Sequence, residues 1–96
     1  MKIIITENQQ ERLFKLISNN LDDKYKIEYT NTNHWVWYDG YAARMRLVPD
    51  GELRISRLMI DYVVSLFGLN EEMLNDFLKY YMSKHNKEFD RVTIMG

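Results

Sequence analysis

The sequence predicts an α+β fold, an antiparallel β-meander with about three helices packed mainly on one of its faces. Two observations carry this. Apolar residues recur at helical spacing early and late in the chain, whereas between residues 24 and 56 the period drops to two. Within that middle stretch, Asn31-Thr32, Asp39-Gly40 and Pro49-Asp50-Gly51 fall at the regular intervals expected of a meander.

Taken in order, Ile3-Ile4-Ile5 is a β-branched run, apolar on both sides, and reads as a buried strand over residues 1–6. Thr6-Glu7-Asn8-Gln9 then matches a capping box, with the threonine hydroxyl on the N–H three residues on and the glutamine reaching back. The helix it starts carries Leu13, Phe14, Ile17 and Leu21 on one stripe, and Asn19-Asn20 with Asp22-Asp23 are expected to end it. Tyr25, Ile27 and Tyr29 alternate with Lys26 and Glu28, residues 34–38 form the next strand, residues 41–48 a third, and the fourth begins at Glu52. Asp-Gly favours a two-residue type I′ hairpin loop. In Pro49-Asp50-Gly51, proline presets the first turn position and glycine takes the left-handed one, giving a three-residue loop with a bulge.

These turns imply a register. A two-residue Asp39-Gly40 loop pairs Trp35 with Arg44 and Trp37 with Ala42, and a two-residue Asn31-Thr32 loop pairs Ile27 with Val36. The bulged loop pairs Leu47 with Leu53 and Met45 with Ile55. One face then collects Tyr25, Ile27, Tyr29, His34, Val36, Tyr38, Tyr41, Ala43, Met45, Leu47, Leu53 and Ile55. The other collects Lys26, Glu28, Trp35, Trp37, Ala42, Arg44, Arg46, Arg54 and Ser56.

Residues 57–67 are almost wholly apolar, which suits a helix buried on more than one side, capped by Ser56 and stopped by Gly68; the rival reading is a strand extended through Ile60, Val63 and Val64. Asn70 caps a further helix with Met73, Leu74, Phe77, Leu78, Tyr81 and Met82 inward, Glu71-Glu72 at its positive end and Lys79, Lys84 and Lys87 toward its negative end. A closing strand follows over 90–95, a candidate neighbour for Ile3-Ile4-Ile5.

The chain has 96 residues, so residues 1–96 are expected to form a single domain. Thirteen basic and fourteen acidic residues leave a net charge of -1, so bulk electrostatics names no partner. With no cysteine there is neither a disulfide framework nor a thiolate metal site. The apolar runs are too short to span a membrane, and the N-terminus lacks signal-peptide order, so a cytoplasmic location is expected.

No enzyme is expected. None of Ser18, Ser56, Ser65 and Ser83 sits in a nucleophile-elbow pattern, and the glycines form no phosphate cradle. His34 and His85 are far apart; the first reads as a satisfied, partly buried side chain and the second as a helix C-terminal contact. No metal ligand set and no cofactor are implied. Asp22-Asp23 reads as a turn. The remaining constellation is Trp35, Trp37, Arg44, Arg46 and Arg54 on one sheet face. It reads as a plain solvated or covered face, as a docking surface for a protein partner or a second copy, or as a stacking platform for single-stranded nucleic acid or another ligand. The expected function is therefore a non-enzymatic interaction or self-association module. Its alternative is single-stranded nucleic-acid or small-ligand binding through the same face.

The opening Lys2-Ile3-Ile4-Ile5-Thr6-Glu7-Asn8-Gln9, with Arg12-Leu13 after it, resembles the starts of small proteins of tailed bacteriophages and marine metagenomes that have no assigned activity. Val63-Val64-Ser65-Leu66-Phe67-Gly68-Leu69-Asn70-Glu71-Glu72 is similar to their later segments. The resemblance implies a phage or phage-derived gene expressed inside a host bacterium, and it implies no site residues.

Overall fold

The computed structural model describes residues 7–96, so the expected strand at Ile3-Ile4-Ile5 and its pairing with the closing strand lie outside the described residues. The elements run α1 (Glu7–Lys24), β1 (Lys26–Tyr29), β2 (Trp35–Asp39), β3 (Ala42–Leu47), β4 (Glu52–Ser56), α2 (Arg57–Phe67), α3 (Glu71–Lys84) and β5 (Arg91–Met95). The five strands form one sheet in chain order. The first four are antiparallel, but β5 runs parallel to β4, because the chain crosses back through two helices before it rejoins the sheet.

The helix signals act as their chemistry requires. Ser56 caps α2 by accepting from the Met59 N–H at 3.2 Å, and Gly68 closes it at φ 64°, donating its N–H to the Val64 carbonyl at 2.8 Å. Residues 57–67 are therefore helix rather than extended strand, with Met59, Ile60 and Val63 buried. Asn70 caps α3 through its side-chain oxygen on the Met73 N–H at 2.8 Å. α1 runs through Asn19-Asn20 and Asp22-Asp23 instead of stopping there. These residues are poor helix formers, but the side chains of Asn19, Asn20 and Asp22 are held by partners on α2 and α3. Asn19 and Ser18 accept from Lys84, Asn20 accepts from Tyr62, and Asp22 accepts from Tyr81.

The core joins Phe14, Ile17 and Leu21 of α1, Met59 and Val63 of α2, and Phe77, Leu78, Tyr81 and Met82 of α3 to one face of the sheet. The sheet supplies Trp37, Met45, Leu47, Leu53 and Ile55, so the two indoles are not where the turns implied. The β3–β4 register is as expected, with Met45 opposite Ile55 and Leu47 opposite Leu53. β2 is turned over relative to both neighbours: Trp37 faces Ile27 and Met45, and Trp35 faces Tyr29 and Leu47.

Two local features cause this. The first loop spans Asn31, Thr32 and Asn33, closed by Thr30 N–H on the His34 carbonyl at 2.8 Å, with Asn33 at φ 64°. The second uses Gly40 and Tyr41, with Gly40 at φ 63° in the first loop position, where a type II′ turn takes glycine. A bulge then inserts Arg44 as an extra residue of β3 between the Trp37–Met45 and Tyr38–Ala43 pairs. The third residue of the first loop alters the parity of β2 relative to β1, and the bulge alters it relative to β3, since a one-residue slip exchanges the faces; moving the second loop by one position on each strand shifts the pairing by two and leaves the faces as they were. Val36 and Tyr38 consequently lie on the reverse side, and Tyr41 is fully exposed at the loop.

Candidate functional site

The five residues expected to share a face do not share one. Trp37 is completely buried among the core residues, its ring centroid 6.2 Å from that of Tyr81. Trp35 is half-buried at the end of the same face. Arg46 and Arg54 stand directly opposite each other on the reverse side, in a row with Glu28, Val36 and Thr93. Arg44 is the bulge residue. The tryptophan–arginine docking face is thereby overturned: burying an indole outweighs the turn preferences that would have put it in solvent.

One of its members, Trp35, instead forms the floor of a cleft of about 440 Å³ at one end of the sheet, lined by Tyr29, Asn33, Trp35, Leu47, Val48 and Glu88 among others. Tyr29 ends β1 and Trp35 begins β2, so the intervening loop places them side by side with ring centroids 4.7 Å apart and planes inclined at 47°. The Tyr29 hydroxyl donates to Asn33 Oδ1 at 2.9 Å, which holds the phenol across the loop while 56% of the residue stays exposed.

The opposite wall is the turn between β3 and β4. Gly51 has φ 96°, a conformation that requires glycine, and a Cβ there would lie 2.5 Å from Asp90 Oδ2, so that exposed carboxylate would have to swing aside. Its carbonyl accepts from the Asp90 N–H at 2.7 Å, tying the turn to the segment that enters β5. Arg91 donates to Asp50 at 2.8 Å, and Arg54 pairs with Glu52. The Glu52 N–H and then Arg91 hold the Asp50 carboxyl below its usual range; Arg54 foremost does the same for Glu52.

Lys87 shows what the aromatic floor accepts. Its ammonium lies 3.9 Å from the Trp35 ring centroid while donating to the His85 carbonyl at 2.9 Å. Burial lowers its pKa, the direction expected of a cation taken partly out of water. Lys87 does not line the main cleft; it lines an adjoining depression of about 250 Å³ with Lys79, Met82, Ser83, Phe89 and Asp90, and Glu88 borders both.

A second polar group lies inside the core. Trp37 Nε1–H donates to the Tyr81 hydroxyl at 3.0 Å, and that hydroxyl donates to Asp22 Oδ1 at 2.6 Å. His85 Nε2 lies 3.1 Å from the same carboxylate oxygen, which selects the Nε2-protonated ring, and Lys84 reaches the other oxygen at 3.6 Å. Burial, then the bond to Asp22, raises the Tyr81 pKa. This chain links β2 to α1 and α3 and satisfies each buried polar atom in it. Asp22 is thus a partly buried acceptor within α1 rather than a turn residue. Sequence spacing could not find it, since its partners lie about sixty positions away.

Among the described residues no three His, Asp or Glu side chains converge as a metal site would, and no helix is long and apolar enough to cross a membrane. The architecture is that of a sheet covered by helices on one face, with an aromatic cleft between loops at its end. Compared with family models, curated proteins and solved structures, the chain matches none.

Proposed function

We propose that the protein is a non-catalytic binding module whose Tyr29–Trp35 cleft takes a lysine or arginine side chain from a segment of a partner protein. The observation that carries this is the Lys87 ammonium seated on the Trp35 ring, an internal example of the ligand chemistry. Tyr29 offers an exposed ring beside it, Leu47 and Val48 suit an aliphatic stem, and Glu88 supplies the opposite charge. A cation over such a ring contributes roughly 0.5–1 kcal/mol when exposed and about 2 when desolvated.

The test is a titration with a penta-arginine peptide, read by tryptophan emission. Because Trp37 is fully buried, the change belongs to Trp35. A saturable change that weakens roughly tenfold in Tyr29→Ala, equivalent to ~1.4 kcal/mol, is the expected result. Glu88→Gln should weaken it further from the same baseline, and a penta-glutamate peptide should leave the emission unchanged. Emission indifferent to the arginine peptide up to millimolar concentration would refute the reading. Single-stranded nucleic acid is the second reading, favoured by Arg46, which stands beside Arg54 and makes no ion pair among the described residues. It loses its stacking platform with the tryptophans on the other side, and an oligothymidine titration distinguishes it.

A further inference from the structure

We infer that β5 is a self-complementary edge at which two copies of the chain join their sheets antiparallel about a two-fold axis through Thr93. Among the described residues β5 has β4 on one side and no strand on the other, so a row of its backbone N–H and C=O groups is left without ladder partners. The other edge, β1, has only four residues and carries the ion-paired Lys26 and Glu28, a usual protection against pairing. β5 has five residues, β-branched at Val92, Thr93 and Ile94, with its one charge at the first position.

The residue types suit a second copy, because β-branched positions meet across the axis and like charges do not. An axis through Thr93 places Val92 opposite Ile94, Thr93 opposite Thr93 and Arg91 opposite Met95, so all five positions find a partner. Val92 and Ile94 lie on the helix-covered side, where they face Leu53 and Ile55 of β4. Ile94 and Met95 keep 49% and 39% of their surface exposed in the single chain, and both would be covered. The two Arg91 guanidiniums fall at opposite ends of the new ladder. Each keeps its own Asp50, so no like charges meet. Five residues a side are far fewer than the roughly 20–30 of a standard interface, so this dimer dissociates on dilution.

The chain has no cysteine, so one introduced thiol reports the register. Facing Thr93 Cβ atoms would stand about 4.5–5.5 Å apart, near disulfide range, whereas the two copies of position 91 would be offset by more than ~13 Å along the strands. Under mild oxidant Thr93→Cys should give a disulfide-linked dimer, and Arg91→Cys should do so at least tenfold more slowly. Sedimentation equilibrium of the unmodified chain should show mass rising from one chain toward two with concentration, and Ile94→Lys should keep it at one. Three results overturn the inference: a constant single-chain mass, as when the chain's own Ile3-Ile4-Ile5 occupies the edge; a mass rise untouched by Ile94→Lys; or Arg91→Cys linking as fast as Thr93→Cys. Should Ile94→Lys fail to fold, the two cysteine variants decide it alone.

Discussion

The two hairpins that share β3 are built from turns of unequal stringency. In Pro49-Asp50-Gly51 the glycine is held at φ 96° with Asp90 against it, and the Asp50 carboxylate caps the turn by accepting from the Glu52 N–H at 3.0 Å. Only one register is compatible with so many constraints, and Leu47 pairs with Leu53 as expected. Asp39-Gly40-Tyr41 is permissive. Glycine is acceptable as the second residue of a type I′ loop or as the first of a type II′ loop, and nothing lies within 4 Å of where a Gly40 Cβ would be. Both loops leave β2 facing the same way, so the bulge at Arg44 is what turns it over, and the side chains of the strand decide that the bulge forms. Trp37 gains a buried site, a ring partner and a hydrogen-bond acceptor in Tyr81 by facing inward.

The largest effects are expected at the indoles. Trp37→Ala should cost about 3–5 kcal/mol, as for other large core truncations, and Trp35→Ala about 1–2 kcal/mol at its half-buried site. Urea unfolding measures both, and two losses under about 0.5 kcal/mol would put the indoles back on the surface. Next come the turns themselves. Gly51→Ala, at φ 96° outside the left-handed well and with the Asp90 side chain to displace, should cost about 2–3 kcal/mol, against about 1 kcal/mol for Gly40→Ala at φ 63° inside that well. Equal effects would remove the claimed difference in stringency.

Two smaller effects are read by pH. Burial foremost, then Asp39, pushes the Tyr25 hydroxyl up to about 12 from 10.0. The folded state therefore binds this proton more tightly than the unfolded one. The stabilisation is complete below pH 10 and is lost between there and about 12. Tyr25→Phe should flatten the alkaline limb of a stability–pH curve. At the acid end Asp50 and Glu52 titrate below their unfolded values of 3.8 and 4.5, so their contribution is present above those values and lost as pH falls through the depressed ones. Asp50 is exposed, so Asp50→Asn should change the acid limb only slightly, and a large change would mean the turn is tied down more strongly than its geometry indicates.

The legible parts of this protein are those whose cause lies within a few residues. Ser56, Gly68 and Asn70 bound α2 and α3 because a cap needs only its own side chain or a left-handed φ and the next turn of helix. The α+β class, and the gathering of the helices on one side of the sheet, followed from period and length. Tyr29 carried a faint signal, as an aromatic beside a loop rich in asparagine, a residue that tolerates the left-handed conformation Asn33 adopts. Lys87 carried none, since nothing near it in sequence names Trp35 as its partner.

Local sequence was enough for the three helices, the caps at Ser56, Gly68 and Asn70, the inward Met45, Leu47, Leu53 and Ile55 of β3 and β4, and the absence of thiol chemistry. The tertiary structure alone decided which way β2 faces, that β5 runs parallel to β4, and that Asp22 meets Tyr81 and His85. The reason is a difference in scale. Capping and turn chemistry act through adjacent backbone groups and are worth about 1 kcal/mol each. The orientation of a whole strand changes with a single residue of slip, and choosing between its two faces rests on burying side chains such as Trp37 against partners distant in sequence.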